Sequence, residues 1–175
     1  STQGVSSAAS DVYKRQLYKS AHLQDLSPHE VHELYKLRTE VFTAEQGASW
    51  AEADEIDSRE TTWHVRAYDE AGHLKAYTRL FLTPSIDDTT KGEIEVRIGR
   101  VAVDKQYRGE GLGRTIIEYS LEMCKKEFHD IDIALEAQTH AIDFYKKHGF
   151  HTVGEVFDLG GIDHIKMVCP ANDLK

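Results

Sequence analysis

At 175 residues and 19.9 kDa the chain has the size of one domain, long enough to bury a core of its own. With 40% hydrophobic and 29% charged residues and no apolar run near the roughly 20 residues of a membrane helix, the composition is that of a soluble globular domain and implies no membrane insertion. A formal net charge of -9 disfavours the nucleic-acid backbone and weakly favours cationic partners. Cys124 and Cys169 form neither a CxxC motif nor a disulfide framework, and the first residues lack the layout of a secretory signal, so the cytoplasm is the expected compartment.

Residues 1–15, beginning with the small and polar run Ser1 to Ser10, read as a disordered leader, and residues 16–175 as a single domain. A short strand is expected near Leu17 and Tyr18. Ser27-Pro28 then offers an N-cap followed by a first-turn proline, with Glu30 as the favoured first-turn acid. Val31, Leu34, Leu37 and Val41 recur at spacings of three and four, one buried helical face, and Gly47 lies just beyond its end. Trp63 to Tyr68 and Leu74 to Leu82 predict an antiparallel pair joined across a loop containing Gly72. After the polar stretch Pro84 to Gly92, Ile94, Val96 and Ile98 alternate, and Val101 and Val103 alternate in the opposite phase. A strand that keeps its buried face across such a slip needs an extra residue, so a β-bulge is expected at Gly99-Arg100.

Leu112, Ile116, Ile117, Leu121, Cys124 and Phe128 form an apolar helical stripe. Ile131 to Ala137 read as a buried strand, parallel to the 94–103 strand across that crossover helix. Ala141 to His148 predict a short helix that Gly149 ends, and the strands His151 to Phe157 and Ile162 to Val168 flank the Gly160-Gly161 turn. The order predicts an α/β (α+β) fold, a mixed central sheet with helices on both faces.

The segment with the most chemical content is Arg108-Gly109-Glu110-Gly111-Leu112-Gly113 between a strand and a helix. Glycines allow close backbone approach, and amides at a helix start point toward an anion. Lys105, Arg108 and Arg114 make the segment locally basic. It is neither a P-loop, since Gly113-Arg114-Thr115 lacks the lysine, nor a dinucleotide fingerprint, since the glycine spacing differs. Read alone, it is a phosphate cradle or a tight strand-to-helix turn with no ligand.

Its pattern resembles the R-x-x-G-x-G/A motif of the GNAT acyltransferase superfamily. Val101-Ala102-Val103 resembles the strand whose amides bond the pantetheine arm, and Ala141 to Phe150 resembles the A-x-x-x-Y-x-x-x-G-F segment. A narrower resemblance is to the ElaA-like branch. It rests on Leu37-Arg38-Thr39-Glu40-Val41-Phe42 with Glu45-Gln46, Ile98-Gly99-Arg100-Val101, Ala137-Gln138-Thr139-His140 and Ile162-Asp163-His164-Ile165. Trp50, Glu52, Asp54, Asp57 and His64 fall in step with the branch, while Gly47-Ala48-Ser49 departs from it where a Cys-Pro pair is common.

The resemblance implies a GNAT fold with a β-bulge in the fourth strand and N-acetyl transfer from acetyl-CoA to a primary amine, small or peptidic, by direct attack in a ternary complex. A CoA-binding regulatory module without turnover is the alternative. Cofactor contacts are expected from Val101, Ala102, Val103, Arg108, Gly109, Glu110, Gly111, Leu112, Gly113, Arg114, Phe144 and Tyr145. Tyr145 is the candidate acid, and its alternative is a ring packed under the ligand. Glu95 and His140 are candidate bases; the alternatives are a solvated strand residue, a hydrogen-bonding cap and a water relay.

The stretch Glu45, Glu52, Asp54, Glu55, Asp57 and Glu60 has Arg59 as its one opposing charge. It reads either as a solvated acidic loop or as a negative field that selects a cationic acceptor, with Glu45, Glu52, Asp54, Asp57 and His64 as candidate acceptor-site residues. His29-x-x-His32 and His148-x-x-His151 lack further ligands, so no metal is expected. A homodimer is left open.

Overall fold

The computed structural model describes residues 17–85 and 93–175, so the expected leader and most of the Pro84 to Gly92 stretch lie outside the described residues. Strand β1 (Leu17–Ala21) leads to helix α1 (Pro28–Arg38). The Ser27 side chain accepts from the Glu30 amide at 3.2 Å and the Glu30 carboxylate accepts from the Ser27 amide at 3.1 Å. This reciprocal cap satisfies two donors that the first turn leaves open. Beyond Arg38 the helix continues as a wider π-helical segment, Thr39–Glu45. The Thr39 hydroxyl donates to the Tyr35 and Lys36 carbonyls at 2.8 and 3.0 Å, competing for acceptors of the ordinary ladder. Leu34, Leu37, Arg38, Val41 and Phe42 are all buried on this helix.

Strands β2 (Trp63–Tyr68), β3 (Leu74–Pro84), β4 (Ile94–Val103), β5 (Asp132–Gln138), β6 (His151–Leu159) and β7 (Ile162–Cys169) complete a seven-stranded sheet in the order β1-β2-β3-β4-β5-β7-β6. The β4–β5 pair is parallel and is joined by the crossover helix α2 (Leu112–Glu127); the other neighbours are antiparallel. Helix α3 (Ile142–Lys147) follows β5 and ends at Gly149, where φ is +99° and a Cβ would stand 2.1 Å from the Asp173 carbonyl oxygen. No other residue fits there.

The sheet carries one helix layer on each face, as expected. On one side Leu80, Val96, Ile98, Ile133, Leu135 and Met167 pack against Ile116, Ile117 and Leu121 of α2. On the other, Tyr77 and Ala102 pack against Leu34, Leu37 and Val41 of α1. The bulge is also where the apolar phase slip puts it. Tyr77 pairs with Ala102 and Arg79 with Gly99, so Thr78 alone opposes both Arg100 and Val101. Arg100 takes the left-handed conformation, φ +55°, and the Thr78 hydroxyl donates to the Gly99 carbonyl at 2.8 Å.

Two features of β4 position the site. Pairing with β5 is confined to Glu95–Arg97 against Asp132–Ala134; beyond that, residues 98–103 and 135–138 no longer pair with each other, each keeping its other neighbour, β3 or β7. The bulge falls inside the opening. Val101, on a central strand, is consequently 37% exposed.

Candidate functional site

The wedge between β4 and β5 leads to the glycine turn. Gly109 and Gly111 have φ of +88° and +77°, and Gly111 is the N-cap of α2, with no side chain capping the helix and no acid in its first turn. Amides at the start of α2 are therefore open to an external anion, aided by the helix dipole. A Cβ at Gly109 or Gly111 would meet no heavy atom within 4 Å, and one at Gly113 would meet Val103 Cγ2 at 3.9 Å. At the first two positions glycine is needed for its backbone conformation and the space outside the turn is open, whereas at Gly113 an added Cβ would make an ordinary contact with Val103. A splayed wedge, uncapped amides and nearby guanidinium groups fit an extended ligand ending in a pyrophosphate.

Arg114 lies over the Phe144 ring, 5.1 Å to its centroid, so the start of α2 and helix α3 close on each other beside the wedge. Tyr145 packs its ring edge-on to Phe144 and Phe150 at 5.2 and 5.7 Å. Its hydroxyl has no hydrogen-bond partner among the described residues, and burial pushes its pKa up to about 12, so it holds its proton at neutral pH. Arg108 donates to the Val103 carbonyl at 3.1 and 3.2 Å and pairs with Glu45 at 2.7 Å. Glu45 and Arg108, expected on opposite sides of the chemistry, are in fact partners. A groove of about 280 Å³ lined by Lys36, Glu40, Glu45, Asp104 and Lys105 runs beside this pair. A second groove, about 300 Å³ between Leu37 and Tyr107, touches none of the candidate residues.

Glu95 is not a solvated strand residue. It is 2% exposed, bonded to Arg97 and to Lys166 Nζ at 3.3 Å. His140 is exposed in the turn between β5 and α3 and does not act as a hydrogen-bonding cap among the described residues.

The acidic segment is neither a solvated loop nor an open negative field. Glu52 and Asp57 are buried, and arginines from three distant elements meet them. Arg38, fully buried on α1, donates through Nε to Glu52 at 2.7 Å and through Nη1 to Asp57 at 2.8 Å. Arg79 on β3 reaches Asp54 at 2.7 and 2.9 Å and Asp57 at 2.8 Å. Arg100, in the bulge, lies 3.2 Å from Glu52 and 3.7 Å from Asp54. Three guanidinium charges thus balance three carboxylates, and Glu45 is taken by Arg108. Burial opposes ionisation of Asp57, but the hydrogen bond from Arg38 and the charges of Arg38 and Arg79 outweigh it and pull its pKa down to about 2.

His64, expected at the acceptor site, has no exposed surface. It is fully buried behind this network, with Nε2 2.9 Å from the Asp57 carbonyl oxygen and Nδ1 2.6 Å from the Tyr77 hydroxyl. A carbonyl can only accept, so Nε2 carries the proton and Nδ1 accepts from Tyr77. Burial lowers the His64 pKa, which keeps the ring neutral.

Arg38, Arg79, Tyr77 and Tyr35, whose hydroxyl donates to Asp57 Oδ2 at 3.1 Å, were not among the site residues expected from sequence. A signal existed for two of them: Arg38 falls within the apolar stripe of α1, and Arg79 sits between Tyr77 and Phe81 on a strand. Among the described residues no group of three or more His, Cys, Asp and Glu is arranged to hold a metal, and no helix is long and apolar enough to cross a membrane.

Residues 22–170 match the Acetyltransferase (GNAT) domain, and the chain belongs to that family. Within it the chain falls in the ElaA-like branch. It is 33% identical to the Escherichia coli protein ElaA over 150 residues, 86% of this chain and 94% of that protein. It is 35% identical to a UPF0039 protein of Synechocystis over 144 residues, 82% of this chain and 88% of the relative. The crystal structure of E. coli ElaA superposes with a TM-score of 0.75 at 32% identity, covering 88% of this chain and 99% of that one. An acyl-CoA N-acyltransferase from Pseudomonas aeruginosa gives the same TM-score, 0.75, and coverage of 88% and 99% at 34% identity.

Proposed function

We propose that the protein transfers the acetyl group of acetyl-CoA to a primary amine by direct attack within a ternary complex, in the cytoplasm. Family membership supports acyl transfer in general. The observation that carries the reading is the wedge itself, in which β4 leaves β5 at Arg97, Val101 is exposed on a central strand, and the opening ends at the uncapped amides of α2. We assign the pyrophosphate to the Gly109–Gly113 turn with Arg108 and Arg114, and the pantetheine arm to Val101–Val103, beneath Phe144 and Tyr145.

In this reading the amine nitrogen attacks the thioester carbonyl carbon, the C–S bond breaks, and CoA leaves as a thiolate that takes up a proton. The protein mainly holds amine and thioester in reacting geometry. A phenol at about 12 stands well above the roughly 8.5 of an ordinary thiol, so Tyr145 stabilises the leaving thiolate chiefly by donating a hydrogen bond. Of the candidate bases, His140 is the freer to accept the amine proton, directly or through water, because Glu95 is engaged by two cations.

Acetyl-CoA should raise the melting temperature progressively with concentration, since it binds the native state alone. An amine screen read by release of CoA thiol then tests transfer. No thermal shift at saturating acetyl-CoA would remove the assignment of the wedge.

A further inference from the structure

Among the three clustered arginines, Arg100 differs from the others. Arg38 and Arg79 each hold two carboxylates in short hydrogen bonds. Arg100 approaches oxygens already taken: Glu52 Oε1, which accepts from Arg38 Nε, and Asp54 Oδ2, which accepts from Arg79 Nη2. Its Nε is buried without a hydrogen bond, and neither terminal nitrogen hydrogen-bonds another group among the described residues. The side chain is nevertheless held in place. Its guanidinium lies over the Trp50 ring at 5.3 Å, and Trp50 is itself fixed by an indole N–H donated to Glu52 Oε2 at 3.0 Å.

The side chain is 20% exposed, and the backbone that carries it is the bulge, turned to φ +55° within the β4–β5 wedge. A guanidinium braced on one face, with its terminal donors open next to the reacting centre, is arranged to receive a planar anion through two parallel N–H bonds. The neighbouring carboxylates do not close the fork, because Arg38 and Arg79 between them already donate to all three and, with Arg100 included, three cations offset three anions. Half-buried Arg97, on the same strand, adds a second cation, because its partner Glu95 is also paired with Lys166.

We propose that Arg100 recognises a carboxylate on the acceptor, so that the amine acetylated belongs to an amino acid or to a molecule bearing amine and carboxylate close together. The inference rests on the acyl-transfer reading and replaces the purely cationic acceptor that the acidic segment suggested from sequence.

The test uses matched acceptors, each with and without the carboxylate: phenylalanine against phenethylamine, and lysine against cadaverine. Turnover is read by CoA thiol release, and binding to the CoA-loaded protein by calorimetry. The carboxylate-bearing member should be preferred in kcat/KM by about tenfold or more, as a charge-assisted pair would give. In Arg100→Met the ratio should fall toward one through the acceptor KM, and Arg100→Lys, which keeps the charge without the fork, should lie between. A ratio of one or below in the unaltered protein, or a preference that survives Arg100→Met, overturns the inference and leaves acyl transfer standing. Preferential binding of the carboxylate members, lost in Arg100→Met, with no thiol released from any pair, would uphold the recognition and overturn the transfer. Neither binding preference nor turnover would overturn both.

Discussion

Replacing Arg38 with methionine tests whether the buried charge network holds the Glu52–Asp57 segment on the sheet. Arg38 is fully buried and Asp57 is 1% exposed, so solvent screens this pair little. Methionine fills much of the same volume but leaves Glu52 without its main partner and Asp57 with Arg79 as its one remaining cation, beside the neutral donors Tyr35 and the Asp54 amide. Stranding a buried charge in this way costs about 3–5 kcal/mol. A domain of this length shifts by roughly 2–4 °C per kcal/mol, so Tm should fall by about 6–20 °C.

The pH dependence has a definite sign. In the unaltered protein the depressed Asp57 contributes stability that is complete above its unfolded pKa, about 3.9, and is lost as pH falls toward about 2. In Arg38→Met the buried carboxyls lose the cation that favoured their charged form, their pKa values rise, and protonation relieves the strain. The stability gap between the two proteins should therefore narrow as pH falls from 7 toward 4. Urea unfolding at a series of pH values measures this gap. A gap below about 1 kcal/mol at pH 7, the range of an exposed pair, or one that does not change with pH, would refute the account of a buried network.

Tyr145→Phe should lower kcat by about 10² with the affinity for CoA nearly unchanged, measured where chemistry limits the rate; full activity would reduce Tyr145 to a packing residue. Gly113→Val should abolish the acetyl-CoA thermal shift while the unliganded protein stays folded, since the added Cβ meets only Val103, at an ordinary contact distance, and stands beside the strand assigned to the ligand. Gly111→Val is a poorer probe, because φ of +77° strains any branched residue there regardless of ligand. Replacing exposed Glu55 and Glu60 by glutamine should alter the acceptor KM by less than about twofold, as exposed charges contribute little. A larger rise that disappears in high salt would restore the cationic acceptor.

What could be read from sequence followed from local periodicity. The change of phase at Gly99-Arg100 located the bulge because a pleated strand alternates with period two, whatever surrounds it. The stripe Leu112, Ile116, Ile117, Leu121 gave α2, and the glycine turn gave its open N-terminus. The π-helical segment after Arg38 escaped, since spacings of three and four read as one uninterrupted helix until Thr39 competes for the carbonyls. The acidic segment was misjudged for a different reason. Charge was counted along the chain, against Arg59, whereas its partners Arg38, Arg79 and Arg100 come from a helix and two strands that only the folded sheet brings together. The solvated reading of Glu95 failed likewise, because Lys166 reaches it from β7 across β5.

A single-turnover reaction tests the central claim most directly: protein in excess over acetyl-CoA carrying a labelled acetyl group, mixed with an amine panel that includes amino acids and analysed by mass spectrometry. The account predicts labelled N-acetyl amine and free CoA thiol in equal amounts, with no label on the protein. Acetyl-CoA recovered intact, or label retained covalently on the chain, would contradict it.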